Sequence, residues 1–236
     1  MPRYTLDLHN HTPLLPRDYR GSLDTTPRQI VETAISAGLD IYAATDHFAV
    51  DFCERLTAAA DDVAAETGRR LLVVPGAELK VRHGAEEVHV VALMPPARAS
   101  RTFAELLGVL GLTSPVAPVE DLQRVHVDHD PRDVFRIVEA LGGIGIVGHM
   151  DRAFGPYRLL DSPFSDTLLS SPSVRAVELI DVAHADRLGS HGVNVVQSSD
   201  SHSLPEIGRR SSELELDDLS FESLRSALAV SSALAV

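Results

Sequence analysis

The sequence predicts an α/β fold in which about seven strands, mostly parallel, close into a distorted barrel wrapped by helices. Three observations carry this. Apolar runs with strand character alternate with stretches of helical periodicity over most of the 236 residues, the pattern of parallel strands covered by helices. The length and a hydrophobic content of 44% suit one domain, residues 1–236, with a substantial core. Histidines and carboxylates recur at the ends of the apolar runs rather than scattering through the helices.

In chain order, Tyr4 to Leu8 reads as a strand, and His9 and His11 follow it two residues apart, the spacing that puts side chains on one face of extended chain. In TTPRQIVETAISAGLD, Thr26 is the N-cap, Pro27 the first helical residue and Gln29 the third. Ile30, Val31, Ala34 and Ile35 form its apolar side, and Gly38 ends it. LDIYAATDH is a buried strand stopping at Asp46 and His47, and a second helix runs from about Asp51 to Thr67 with Gly68 at its end. RRLLVVPGAE is a strand and turn leading to Glu78, and ELKVRHGAEEVHVVAL reads as a hairpin or two short strands about His83 and Gly84, with His89 on the second arm.

Residues 97–127 hold a helix from Thr102 to Leu110 and a proline-containing connection, and are read as a lid or insertion. DHDPRDVFRIVEALGG is a helix with Asp130 as cap and Pro131 at its first position. GIGIVGHMDR is a strand ending at His149, VRAVELID a strand holding Glu178, AHADRLGS a helix, and VNVVQSSDSH a strand ending at Asp200 and His202. ELELDD is a short strand, and Ser220 caps a last helix, Phe221 to Leu228.

The 34 acidic residues outweigh 21 basic ones, for a net charge of −13, which argues against binding long duplex nucleic acid by charge alone. The basic residues are almost all arginine, Lys80 being the only lysine. No apolar run approaches the roughly 18 residues of a membrane span, and no secretory leader pattern precedes the first strand. The single cysteine, Cys53, excludes an intramolecular disulfide framework and points to a reducing, cytoplasmic setting.

The ends of parallel barrel strands meet on one face, so these imidazoles and carboxylates would converge there. Such a cluster requires cations, because like charges repel and burial penalises each carboxylate. Imidazole nitrogen with carboxylate oxygen, and no thiolate, suits Zn, Mn or Fe in a site open to substrate.

The ordered set DLHNHT, ATDH, PGAE, EVHVVAL, GHMDR and SSDSH, spanning Tyr4 to Gly208, resembles the PHP (polymerase and histidinol phosphatase) family of metal-dependent phosphoesterases. The resemblance implies a distorted (β/α)7 barrel with up to three metals. By residue-wise transfer, His9, His11, Glu78 and Asp200 hold the first. Glu78 bridges to a second held by His89 and His149, and His47 and His202 hold a third. Asp46 is a ligand or an acceptor for a neighbouring histidine. The loop TPLLPRDYRG offers Asp18 for the third metal, slightly off the usual spacing.

The implied chemistry is hydrolysis of a small phosphate monoester or nucleotide-type substrate by a hydroxide shared between two metals. Asp18, Asp46 and Arg152 are the catalytic candidates, Arg152 as phosphate clamp. Arg17, Arg20, Glu178 and Tyr157 join Arg152 as substrate-binding candidates, with Glu178 read either as binding substrate or as positioning a metal ligand. The partner expected is a small anionic phosphate compound, with no membrane and the oligomeric state open. The alternatives are an exonuclease acting on short oligonucleotide ends, a PHP-fold regulator without turnover, and an amidohydrolase. The last would want a bridging lysine that Lys80 is badly placed to supply. His83, His126, His129, His184 and His191 are read as surface or helix-flanking residues.

Overall fold

The computed structural model describes residues 1–84, 86–113, 116–152, 159–188 and 191–229. Its strands are β1 (Arg3–Asp7), β2 (Ile41–Ala44), β3 (Leu72–His83), β4 (Glu86–Leu93), β5 (Val127–Asp128), β6 (Ile144–Val147), β7 (Ala176–Glu178), β8 (Asn194–Val196) and β9 (Ser212–Glu215). The helices are α1 (Pro27–Ser36), α2 (Cys53–Thr67), α3 (Ala99–Val109), α4 (Pro131–Ala140), α5 (Pro163–Leu169) and α6 (Phe221–Ala229). Eight strands lie in the order β8-β7-β6-β4-β3-β2-β1-β9, and β5 pairs with β3 off that path.

The chain therefore has an α/β fold built on a near-closed, mixed barrel. One expectation needs correction: there are nine strands among the described residues rather than about seven. Most pairings are parallel, but β4 runs against β3 and β6, and β9 against β1. The reason is the hairpin. β3 continues well past its partner β2 and turns at Gly84, whose φ of 63° is easy for glycine, so β4 returns antiparallel. Beyond β1 and β8 the ring is drawn together by the parallel bridge of Asn10 and Ser201. There the His11 N–H donates to the Ser201 carbonyl at 2.8 Å and the Asp200 N–H to the His9 carbonyl at 2.9 Å.

Side-chain alternation along the strands separates the interior from the helical coat. Leu6, Leu8, Ile41, Ala43, Val74, Val91, Leu93, Ile144 and Ile146 form one cluster with Phe221, Leu224 and Leu228 of α6. The intervening residues Tyr42, Ala44 and Val73 pack on Ile30, Val31 and Leu56 of α1 and α2. Val90, Ala92 and Val147 pack on Phe103, Leu106, Val134, Phe135 and Val138 of α3 and α4. That last cluster also takes Leu110, Leu122 and Val127 from the 97–127 stretch.

Local chemistry sets the helix ends. Thr26 and Gln29 form a reciprocal capping box on α1, and Asp130 accepts from the Arg132 N–H at 2.9 Å to start α4. Ser220 accepts from the Ser223 N–H at the start of α6. Two helices differ from expectation. α3 starts at Ala99, before Thr102. The AHADRLGS segment forms a 3₁₀ helix, Val182–Leu188, because Asp151 captures the N–H groups of Ile180 and Asp181 and the Nδ1 of His184, holding its entry. No helix among the described residues is long and apolar enough to cross a membrane.

Candidate metal centre

Glu78 and His89 share strand parity with the interior residues Val74, Val91 and Leu93, so they face inward at the barrel mouth. His9, His11, Asp46, His47, His149, Asp200 and His202 follow the ends of β1, β2, β6 and β8. Phe48, His149 and Asp200 are the only non-glycine residues with positive φ among the described residues, at 53°, 27° and 49°. All three lie at this mouth, where strained backbone turns ligand-type side chains out of the strand alternation.

Glu78 is the hub. Its Oε2 lies 3.1 Å from His47 Nδ1, 3.3 Å from His11 Nε2 and 3.4 Å from His9 Nε2. Its Oε1 lies 2.5 Å from His89 Nδ1 and 3.3 Å from His149 Nε2. Asp200 Oδ1 is 3.3 Å from His11 Nε2, and Asp18 Oδ2 is 2.9 Å from His11 Nδ1. Asp18 Oδ1 faces His202 at 3.6 Å and His47 at 3.9 Å. Four overlapping groups result, each with ligand atoms within 4.8 Å of one another: His9, His11 and Glu78; His11, Asp18 and His47; His11, Asp200 and His202; Glu78, His89 and His149.

The electrostatics follow from this packing. Burial alone would push Glu78 up, yet the surrounding imidazoles hold it well below the usual carboxylate range. Burial likewise opposes charge on His9 and His11, but the neighbouring acids lift both well above the ordinary imidazole value. The donor set fits divalent cations on a further ground. His9 Nε2, both ring nitrogens of His11, His47 Nδ1 and Asp18 Oδ2 are buried without a hydrogen-bond partner of good geometry. Polar atoms rarely stay so unless something else binds them. Several clusters able to coordinate divalent ions are thus present, as in a multi-metal site.

Other candidates fall outside these groups. Both oxygens of Asp46 accept from Thr12, at 2.7 Å from its N–H and 2.6 Å from its hydroxyl, so Asp46 braces the loop after β1. Burial raises its pKa to about 6. Glu178 is buried; its Oε2 meets His9 Nδ1 at 3.0 Å and its Oε1 accepts from the His149 N–H at 3.2 Å. It therefore orients ligand-type residues and does not face open space. Arg17 pairs with Asp121 at 2.9 Å and Arg20 with Glu206 at 3.1 Å, and both arginines are exposed. Arg152 lines a cavity beside His89 and His149. Tyr157 lies outside the described residues.

Glu87 was not among the sequence candidates. It is buried in β4, its Oε1 meets His89 Nε2 at 3.1 Å, and that bond pulls its pKa down to about 2. Carboxylates in this position fix the tautomer of a metal-binding histidine. The hairpin carried the clue: a fold at Gly84 sets Lys80 opposite His89 and Arg82 opposite Glu87.

No family model matches the chain, and no curated protein matches it. Solved structures do. An Endonuclease Q complex with a 27-mer duplex carrying an abasic lesion at the active site aligns with 96% of this chain at 19% identity and a TM-score of 0.67. The chain spans only 56% of that protein's length. A protein from Bifidobacterium adolescentis described as a metal-dependent phosphoesterase aligns over 94% of this chain and 95% of its own, at 18% identity and a TM-score of 0.63. An amidohydrolase from Chromobacterium violaceum with bound sulfate and no metal aligns over 94% and 96%, at 17% identity and 0.58.

At such identities the likeness establishes the fold. The chain shares its barrel fold with these structures, and it carries clustered His, Asp and Glu residues at the mouth. One expectation is overturned: net charge does not exclude long duplex nucleic acid, because the same fold is seen on a duplex in Endonuclease Q. Total charge sums over the whole surface, whereas phosphate contacts are local, and bound cations offset acidic ligands.

Proposed function

We propose that the protein is a metal-dependent hydrolase of phosphate esters, with a PHP-type barrel, whose substrate is a phosphodiester of nucleic acid. The observation that carries this is the single buried carboxylate of Glu78 facing five imidazoles, flanked by Asp18 and Asp200. Two or three ions of Mn, Zn or Fe fit it. His9, His11, Glu78 and Asp200 would hold one, Glu78, His89 and His149 a second, and Asp18, His47 and His202 a third. When bound, such ions supply Lewis acidity and a water of lowered pKa at neutral pH.

The chain's own residues do the rest. Glu178 and Glu87 hold the rings of His9 and His89 in one orientation. Asp46 holds the loop that carries His11 through Thr12. Arg152 would neutralise charge on a substrate phosphate at the His89 and His149 end of the centre. Asp18, held well below the usual carboxylate range by His11 and His202 despite its burial, would stay ionised between His47 and His202. The described residues would act as one catalytic domain, with 97–127 as an insertion. The nucleic-acid substrate is favoured over a small monoester because a likeness over nearly the whole chain includes a protein bound to duplex DNA.

The test combines elemental analysis of protein purified without chelator with a cleavage screen. Single-stranded, duplex and abasic-duplex oligonucleotides, an aryl phosphodiester and an aryl amide are each offered with Mn, Zn or Fe. Metal-dependent strand cleavage supports the reading. Amide hydrolysis alone, or no metal uptake, overturns it.

A further inference from the structure

A cavity of about 420 Å³ opens beside the His89 and His149 end of the centre, and its wall carries Lys80, Arg82, His126 and Arg152 with Glu87. Among the described residues the only acid on that wall is already engaged: Glu87 faces His89, His126 at 2.9 Å and Arg82 at 3.5 Å. Lys80 donates to the Gln123 carbonyl at 2.5 Å, a neutral acceptor that anchors the ammonium without cancelling its charge. The Arg152 side chain makes no hydrogen bond or ion pair among the described residues, and it is exposed.

Elsewhere around the mouth the balance is opposite. Arg17 and Arg20 are each neutralised by an acid. Asp18, Glu78, Glu178 and Asp200 make the centre itself acidic. A polyanion approaching this face meets uncompensated positive charge on the cavity side, and local charge of that kind draws in a phosphate backbone.

We infer that this cavity receives the backbone phosphate next to the one cleaved, with Lys80 and Arg152 as its principal contacts, and so sets the direction in which a strand crosses the centre. The inference rests on the phosphodiester reading above. Lys80 and Arg152 reach the site from β3 and from the loop after β6, so the two contacts grip the strand from separate elements. A substrate with one phosphate fills the centre and leaves the cavity unused, whereas a strand engages both.

The experiment measures binding of a short fluorescein-labelled single-stranded oligonucleotide by anisotropy, in chelator, over a range of salt. On single strands each lost phosphate contact lowers the slope of log K against log salt by about 0.7. Lys80→Gln and Arg152→Gln are each expected to lower the slope by about that amount and weaken binding uniformly across sequences. Arg136→Gln, on α4 and paired with Asp133, is expected to keep the parental slope. Circular dichroism confirms folding, and either cavity variant suffices if the other fails to fold. Parental slopes in both cavity variants, or no oligonucleotide binding by the parent at low salt, overturn the inference. Hydrolysis of the aryl phosphodiester by the metal-loaded parent is scored separately. Its loss sinks the functional reading while leaving the binding result interpretable.

Discussion

Glu178 Oε2 lies 3.0 Å from His9 Nδ1, while its other oxygen accepts from the backbone N–H of His149. One buried carboxylate at the end of β7 thus ties a ring following β1 to the turn following β6. Removing it frees the His9 ring and unpairs a buried N–H. Glu178→Ala is expected to weaken binding of at least one metal by about 10- to 100-fold, read by competition with a chromophoric chelator. Glu178→Gln, which keeps an acceptor, is expected to lose less. Equal metal affinity in all three proteins would contradict the orienting role.

Glu78 has a different character because so many rings face its two oxygens. Glu78→Ala is expected to abolish stoichiometric metal uptake and, with it, activity. Elemental analysis of the folded variant checks this. A variant that keeps its metal but melts earlier would show Glu78 to be a structural acid and not a ligand.

Metal removal should lower stability even without mutation, since ions that bind only the native state stabilise it by mass action. At free metal about 100 times Kd the effect is about 2.7 kcal/mol. For a chain of this size that corresponds to a Tm shift of very roughly 5 to 10 °C. Differential scanning calorimetry with chelator and with Mn restored measures it, and identical melting curves would count against binding.

Asp130 caps α4 and is held below its usual pKa chiefly by the hydrogen bonds it accepts from the Arg132 guanidinium, and less by the Arg132 N–H. Asp130→Ala is expected to cost about 1 kcal/mol at neutral pH. The sign follows from the lowered pKa. The carboxylate contribution is complete above the unfolded value of about 3.9 and is lost as pH falls through the lower folded value. Urea unfolding of both proteins should therefore show a gap at pH 7 that narrows in strong acid.

Cys53 is buried at the start of α2, and burial pushes its thiol up to about 12. The thiolate is the reactive form, so alkylation at neutral pH should be negligible in the native state and rapid in denaturant. Fast native labelling would show that α2 opens locally.

The amino-acid sequence by itself determined what depends on neighbours along the chain. The α1 capping box, the Asp130 cap and the placement of histidines and acids at strand ends are all set within a few residues, by periodicity and backbone hydrogen-bonding needs. The antiparallel pairing of β4 with β6, the pairing of Glu87 with His89, and the partners that Glu178 holds were decided only in three dimensions. So was the diversion of Arg17 and Arg20 to surface acids. Each of those depends on which distant partner a charged group reaches first. That is fixed by strand register and by the closing of the barrel; for the buried carboxylates, burial makes an unpaired charge too costly to leave.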